Sequence, residues 1–242
     1  MSTLYLVRHG QASFGRVNYD KLSELGERQC RTLGEYWVNR EFMPDAVCAG
    51  TLDRQIKSAE CVCESYREAG LTFPAVSAEI AGFNEYDTAG ILTGSLPDLI
   101  AKHPEVLEMM KKAFPDGKPD LVGNKKDFQR VFARVMDLWV AGKLTVKGLE
   151  SWKQFTERVN DAISRVIEEQ GSGRTVVVLT SGGPISAAVQ RALQTEDKVS
   201  MDIGWAIINS SVSEFRYSGD RFSMVTFNET PHIRDSAMIS HR

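Results

Sequence analysis

Residues 4–10 have the sequence LYLVRHG, in which an apolar run is followed directly by arginine, histidine and glycine. A short apolar run of this kind predicts a buried β-strand, so Arg8 and His9 fall where the strand ends and the chain turns. Gly10 permits a tight turn or a close approach of two backbones. Ligands of open α/β sheets bind outside the carboxyl ends of the strands. The planar guanidinium of arginine matches phosphate oxygens, and a neutral imidazole can act as a nucleophile. The tripeptide therefore favours a site for oxyanion chemistry. The alternative is that Arg8 and His9 only cap the end of the strand.

The composition is that of a globular protein that can bury a full core. The chain has 242 residues, of which 42% are hydrophobic and 25% charged. The formal net charge is -3 and the basic residues are dispersed, which gives no electrostatic footprint for nucleic acid. No apolar stretch reaches the length of a membrane span, and the N-terminus has no signal-peptide pattern. We therefore expect a cytoplasmic protein without a nucleic-acid or membrane partner.

Strand and helix patterns alternate along the chain. This alternation predicts a three-layer αβα sandwich with a mostly parallel central sheet, to which a terminal hairpin adds an antiparallel edge. Single strands are predicted at residues 4–7, 46–49, 76–79 and 175–179, and hairpin strands at 207–217 and 222–227. Helices are predicted from the N-cap Ser23 to about residue 40, over 52–69 and 151–170, and after Pro184.

The middle of the chain departs from this alternation. Residues 82–94 have the composition of a loop, and residues 96–141 have a helical pattern that Pro104, Pro115 and Pro119 interrupt without an intervening strand. No internal repeat or long linker marks a second independent domain. We therefore predict one domain of residues 1–242, with a helical cap insertion at about residues 88–147.

The four cysteines are Cys30, Cys48, Cys61 and Cys63. The spacing of Cys61 and Cys63 raises the alternative of a metal site. On the predicted helix, however, two residues so spaced point in different directions. We expect buried or half-buried thiols, with neither a metal site nor a disulfide framework.

Several segments, in the right order and over nearly the whole chain, resemble the histidine phosphatase superfamily, which has the phosphoglycerate-mutase-like fold. The first is LVRHGQ at residues 6–11, which resembles the family signature. The others are LSELG at 22–26 with Gln29, LDRQIKSA at 52–59, FNE at 83–85, the strand and turn at 176–185, and Phe227-Asn228 with His232.

The resemblance implies a phosphomonoester hydrolase that works through a phosphohistidine. One ring nitrogen of His9 would attack the phosphorus. The other ring nitrogen would donate a hydrogen bond, for example to a nearby backbone carbonyl. Arg8 and Arg54 would hold the phosphoryl oxygens, whose transition-state charge positioned cations stabilise. These cationic groups make a metal or other cofactor unnecessary. Taken without the family context, Arg54 is more readily explained as a solvated surface residue in the first turn of a helix.

Glu85 occupies the segment that resembles the one bearing the acidic proton donor of the family. It would protonate the leaving alkoxide and then take a proton from the attacking water. An acid near neutral pH needs a raised pKa, which burial or a neighbouring phosphate can supply. An ordinary polar loop is the alternative, and Asp87 is a competing acid two residues on.

Ser181 is the main departure from the family pattern, which has a second histidine at this strand end. A serine hydroxyl carries no charge, and the loss of a charged hydrogen bond could slow phosphoryl transfer by roughly one or two orders of magnitude. The amides of Gly182 and Gly183 at a helix start form a ready anion site that can compensate in part. A second departure is Gly15, where the family often has an asparagine, although Asn18 lies nearby.

Three functions remain open at this point. The first is the hydrolase acting on a small phosphorylated substrate, with Arg8, Arg54, Ser181 and Gly182 as phosphate-binding residues. The second is a weakened family member that binds a phosphorylated ligand or a partner without efficient turnover. The third is a phosphoglycerate-mutase-type isomerase. A mutase must also anchor a carboxylate and keep the phosphorylated enzyme away from water. The sequence gives no basis for either, so hydrolysis is favoured. We expect His232 to be structural, and neither substrate identity nor oligomeric state follows from the sequence.

Overall fold

The structure is a computed structural model that describes residues 2–13, 20–72, 76–113 and 125–241. Gly15 and Asn18, which the sequence raises as a lost and a substitute phosphate contact, lie outside the described residues.

One sheet forms the centre of the fold. Its strands are β1 (Ser2–Arg8), β2 (Ala46–Ala49), β3 (Val76–Glu79), β4 (Thr175–Thr180), β5 (Val212–Ser218) and β6 (Arg221–Glu229). Their order in the sheet is β3-β2-β4-β1-β5-β6. The strands β1 to β4 pair in parallel, β5 runs antiparallel to β1, and β6 is antiparallel to β5. The predicted parallel sheet with an antiparallel hairpin at its edge is therefore confirmed.

The helices begin and end at local signals. Ser23 caps the first helix, since its hydroxyl accepts from the Gly26 amide at 3.1 Å. Within the described residues the helices are α1 (Glu24–Asn39), α2 (Asp53–Glu68), α3 (Thr88–Gly94), α4 (Leu96–Lys102), α5 (Pro104–Ala113), α6 (Lys125–Val140), α7 (Trp152–Gln170), α8 (Gly182–Leu193) and α9 (Asp197–Ala206).

Both faces of the central strands are buried. On one face Val7, Val177 and Leu179 pack in a cluster with side chains of α1 and α2, such as Leu33 and Val62. The apolar residues that alternate with them along β1 and β4 point to the other face and are also fully buried, and α8 packs against β1 and β6. Strands covered on both faces are typical of parallel α/β sheets.

Two predicted segments differ from the structure. The strand predicted to begin at Ile207 begins at Val212, because residues 207–211 form a turn in which Ser210 has a positive φ of 59°. The loop predicted over residues 82–94 contains α3, which Asp87 caps by accepting from the Gly90 amide at 2.8 Å. The helix α9 was not anticipated at all.

The chain divides into two compact units, Met1–Glu85 with Arg158–Arg242, and Tyr86–Glu157. Each has its own buried side chains, and in the second Tyr86 packs edge-on against Phe155, with ring centroids 5.2 Å apart. The predicted cap at residues 88–147 lies within the second unit, and its role as a cap stays a prediction.

The four cysteines are free thiols, three of them buried and Cys63 half-buried. Burial raises the pKa of Cys30 to about 11 and that of Cys61 to about 12, so both are protonated at neutral pH. Among the described residues no group of three or more histidine, cysteine, aspartate or glutamate side chains could hold a metal ion. None of the helices described is long and apolar enough to cross a membrane.

Candidate active site

The residues singled out in the first unit gather at one edge of the sheet, where the parallel strands end. His9 follows β1, Ser181 follows β4, Arg54 lies in the first turn of the helix after β2, and Glu85 follows the turn after β3. Backbone bonds hold this edge together, since the His9 amide donates to the Thr180 carbonyl at 2.8 Å. Parallel topology thus brings to one edge residues that are far apart in sequence.

His9 is buried and held in one tautomer. Its Nδ1 lies 2.6 Å from the Gly10 carbonyl oxygen, and because a carbonyl only accepts, Nδ1 carries the proton. The remaining nitrogen, Nε2, therefore has a lone pair when the ring is neutral. Burial, with the guanidiniums of Arg54 and Arg8, lowers the pKa of His9 well below its usual value, against the opposing effect of the Gly10 carbonyl. The ring is neutral at physiological pH and is arranged as a nucleophile requires.

Arg54 lies directly against the imidazole. Its Nε donates to His9 Nε2 at 3.2 Å, and the residue is 7% exposed. Its Nη1 forms an ion pair with Asp20, whose other carboxylate oxygen accepts from the Asp53 amide at 2.8 Å. A permanent cation is thus fixed beside the lone pair of His9 by a carboxylate anchored at the start of α2.

Arg8 is half-buried and binds two backbone carbonyls that lie far from it in the sequence. Its Nη1 donates to the Ile207 carbonyl and its Nη2 to the His241 carbonyl, the latter at 2.8 Å. A Cβ placed on Gly182 would lie 3.8 Å from Arg8 Nε, so the guanidinium runs beside the start of α8. Arg8 is therefore near the other residues of the edge, and its positive charge acts on His9.

Gly10 lets two backbones approach closely beneath His9, as the sequence predicted. A Cβ at Gly10 would lie 2.2 Å from the Gly26 carbonyl oxygen, and one at Gly26 would lie equally close to the Gln11 carbonyl oxygen. The Gly10 amide donates to the Ser58 hydroxyl at 3.0 Å, and that hydroxyl donates to the Arg54 carbonyl at 2.6 Å. These contacts fix the turn after β1 against α2, and so fix His9 relative to Arg54.

Glu85 is half-buried and accepts from the Gly183 amide at 3.0 Å through Oε2. The amides at the start of α8, which the sequence predicts as an anion site, thus hold a carboxylate of the protein itself. Arg158 fixes the preceding turn, because its Nη1 donates to the carbonyls of Ala81, Gly82 and Asn84 at 2.9–3.2 Å.

Ser181 is fully buried at the N-cap position of α8. Its hydroxyl makes no capping bond and accepts instead from the amide nitrogen of Gln55 at 2.9 Å. The residue therefore lies at the strand end where the resemblance places a second histidine. Gly182 is the first residue of α8 and lies beside Arg8.

Asp20, Gln55 and Arg158 are site neighbours that sequence reasoning did not single out. Asp20 contacts a residue 34 positions away, and Gln55 one 126 positions away. Asn209 is a further example, since its amide donates to the His9 carbonyl at 3.2 Å from 200 positions away. No local pattern marks contacts of this separation.

His232 is structural in its contacts, as expected. It is 3% exposed, and its Nε2 lies 2.9 Å from the hydroxyl of Ser210, whose amide donates to the carbonyls of Arg8 and His9. Burial lowers the pKa of His232 to about 4.

This lowered pKa predicts acid sensitivity of the fold. As the pH falls below about 6.5 the unfolded chain takes up the proton first, so stability is lost until the pH reaches the folded pKa. Between about pH 7.5 and pH 5, His232 should cost about 2 kcal/mol of unfolding free energy. Urea unfolding of the wild type and His232→Asn at both pH values measures this cost. Equal pH dependence in the two proteins would show that His232 does not titrate as described.

The profile of the histidine phosphatase superfamily (branch 1) matches residues 4–141 and 123–230. None of the curated protein sequences matches the chain significantly.

Solved structures share this fold over nearly the whole chain at low identity. A mutant phosphoserine phosphatase from Entamoeba histolytica, in complex with phosphoserine, is 14% identical with a TM-score of 0.60, over 96% of this chain and 100% of that one. A phosphoglycerate mutase from Bacillus anthracis is 19% identical with a TM-score of 0.61, over 96% and 94%. A mycobacterial glucosyl-3-phosphoglycerate phosphatase is 20% identical with a TM-score of 0.61, over 94% and 99%.

Proposed function

The chain belongs to the histidine phosphatase superfamily (branch 1), and on that premise we propose that it hydrolyses phosphomonoesters through a phosphohistidine formed on His9. The observation that carries this proposal is the state of the imidazole. Its Nδ1 proton is held by the Gly10 carbonyl, and the Nε2 lone pair faces the guanidinium of Arg54. A neutral nucleophile beside a fixed cation is what attack on a phosphate dianion requires.

In the first step Nε2 of His9 forms a bond to phosphorus as the ester oxygen leaves. In the structure, before substrate binds, the Nε2 lone pair of His9 accepts from Arg54 Nε. Arg54 Nε must therefore turn to a phosphoryl oxygen as the substrate enters. Arg8 and Gly182 would contact the other phosphoryl oxygens, and Ser181 would donate a neutral hydrogen bond. Glu85 gives its proton to the leaving oxygen, which departs as an alcohol.

In the second step water attacks the phosphohistidine and inorganic phosphate leaves with its bond to Nε2 broken. Glu85 takes the proton from that water. The bond from the Gly183 amide supports this role, because it holds the carboxylate of Glu85 in a fixed position at the start of α8. No step calls for a metal ion, since arginines supply the positive charge.

Hydrolysis of p-nitrophenyl phosphate by the purified protein, in the presence of a metal chelator, tests the proposal. We expect saturable turnover with the chelator present, and inhibition by vanadate in a parallel assay without the chelator, which would otherwise bind the vanadate. A protein that binds vanadate or phosphate but releases no p-nitrophenol would contradict it. Such a result would support the second candidate, a ligand-binding family member, which the uncharged Ser181 favours.

The same preparation should be given 3-phosphoglycerate. The proposal expects release of inorganic phosphate from it or no reaction. Conversion to 2-phosphoglycerate without phosphate release would instead identify an isomerase.

We expect the negative charge of Asp20 to weaken phosphate binding at the site. Its carboxylate is paired with Arg54 and repels an incoming dianion. Asp20→Asn should therefore lower the inhibition constant of inorganic phosphate by roughly fivefold, which corresponds to about 1 kcal/mol of repulsion. Asp53→Asn removes the same charge from the neighbouring exposed residue and should have a smaller effect. Weaker phosphate binding in Asp20→Asn would show that the carboxylate assists Arg54 rather than competing with phosphate.

A further inference from the structure

Gln55 is a buried side chain that joins three segments of the proposed site, and none of the steps above uses it. It is 0% exposed and directly follows Arg54. Its Nε2 donates to the Ser181 hydroxyl at 2.9 Å and to the Phe83 carbonyl at 3.0 Å, and its Oε1 accepts from the Leu52 amide at 3.3 Å. One side chain thus connects the start of α2 with the segments that follow β3 and β4.

These partners fix the direction of the bond to Ser181. The Phe83 carbonyl, which also accepts from the Thr180 hydroxyl, can only accept, and the Leu52 amide can only donate. The two ends of the Gln55 amide therefore cannot be exchanged. The Ser181 oxygen must then accept from Gln55. Since a serine hydroxyl has one hydrogen to donate, that hydrogen is directed to an acceptor other than Gln55.

We propose that Gln55 is a positioning residue that orients the Ser181 hydroxyl to donate to a phosphoryl oxygen of the substrate. This inference rests on the proposed phosphatase function. Gln55 also holds the Phe83 carbonyl two residues before Glu85, so the same amide steadies the segment of the acid. The pair of Gln55 and Ser181 places an oriented neutral donor at a strand end where the resemblance expects an imidazole.

A double-mutant cycle tests the role of Gln55. The proteins are the wild type, Gln55→Met, Ser181→Ala and the double variant, compared by kcat/KM for p-nitrophenyl phosphate. Each single substitution should lower kcat/KM by roughly five- to twentyfold, as expected for loss of an oriented neutral hydrogen bond. In the Ser181→Ala background, Gln55→Met should cost at least about threefold less than it does in the wild type, because no hydroxyl remains to be oriented.

Gln29→Met is the matched control. Gln29 is also 0% exposed, and its amide nitrogen donates to the Met238 carbonyl at 2.6 Å while its oxygen accepts from the Gln11 amide at 2.8 Å. We expect both glutamine variants to lower Tm, but Gln29→Met to change kcat/KM by less than roughly threefold. If Gln55→Met does not fold, Gln55→Asn replaces it in the cycle, since the shorter amide stays polar.

The outcomes separate the two proposals. Independent, multiplicative effects of Gln55→Met and Ser181→Ala would overturn the positioning role, and so would a Gln55→Met variant whose kcat/KM matches that of Gln29→Met. A wild type without turnover would overturn the proposed phosphatase function itself.

Discussion

His9→Asn should lower the turnover of p-nitrophenyl phosphate by roughly 10³- to 10⁵-fold, as expected for loss of a covalent nucleophile. Asparagine is chosen because its amide can still donate to the Gly10 carbonyl, as His9 Nδ1 does. The hydrogen bond to the turn at Gly10 is therefore kept, and the substitution removes the nucleophilic nitrogen Nε2. The variant should unfold cooperatively on heating, which would show that it is folded.

His232→Asn is the control for this substitution, because it makes the same change at another buried histidine. Its turnover near neutral pH should stay within a few-fold of the wild type. If His9→Asn keeps more than about a tenth of the wild-type turnover, His9 is not the nucleophile. An equal loss in both variants would show that removing any buried histidine disturbs the fold.

Glu85→Gln should affect substrates according to their leaving groups. For an alkyl phosphate such as glycerol 2-phosphate, we expect the rate of phosphoenzyme formation to fall by roughly 10²- to 10⁴-fold, because the alkoxide needs a proton as it leaves. p-Nitrophenolate is a stable anion that leaves without a proton, so formation of the phosphoenzyme from p-nitrophenyl phosphate should change little. Single-turnover measurements on both substrates give these rates.

Asp87→Asn is the matched control, since Asp87 is the competing acid two residues from Glu85. Its carboxylate caps α3, and asparagine serves that position equally well. We expect no dependence on the leaving group in this variant. A loss for the alkyl phosphate in Asp87→Asn, with none in Glu85→Gln, would reassign the acid.

Local signals were sufficient to predict much of the fold. The bounds of β2 and β3 agree with the expected ones, because turn-forming residues lie in the sequence on both sides of each short run. Ser23 begins α1 as expected, since its hydroxyl satisfies an amide of the first turn. By contrast, Ile207 looked like the start of a strand because its neighbours are apolar. Its carbonyl is instead held by Arg8 from 199 positions away, in the turn before β5.

The candidate site was predictable where a residue type and its place at a strand end suffice. His9 and Arg54 meet as the resemblance implies, because parallel strands present their ends at one edge. The pairing of Asp20 with Arg54, and of Gln55 with Ser181, depends on how α2 packs against other segments. Such packing is a tertiary property that no window of sequence contains.

Trapping of the phosphoenzyme tests the central claim most directly. Glu85→Gln is the protein of choice, because p-nitrophenyl phosphate can phosphorylate it while the missing base slows hydrolysis. The protein is mixed with radiolabelled substrate and the reaction is quenched rapidly. We expect an acid-labile, base-stable phosphoryl group on the peptide that contains His9, and no labelled peptide in His9→Asn. Turnover without label on His9, or label on Ser181 or another side chain, would contradict the mechanism.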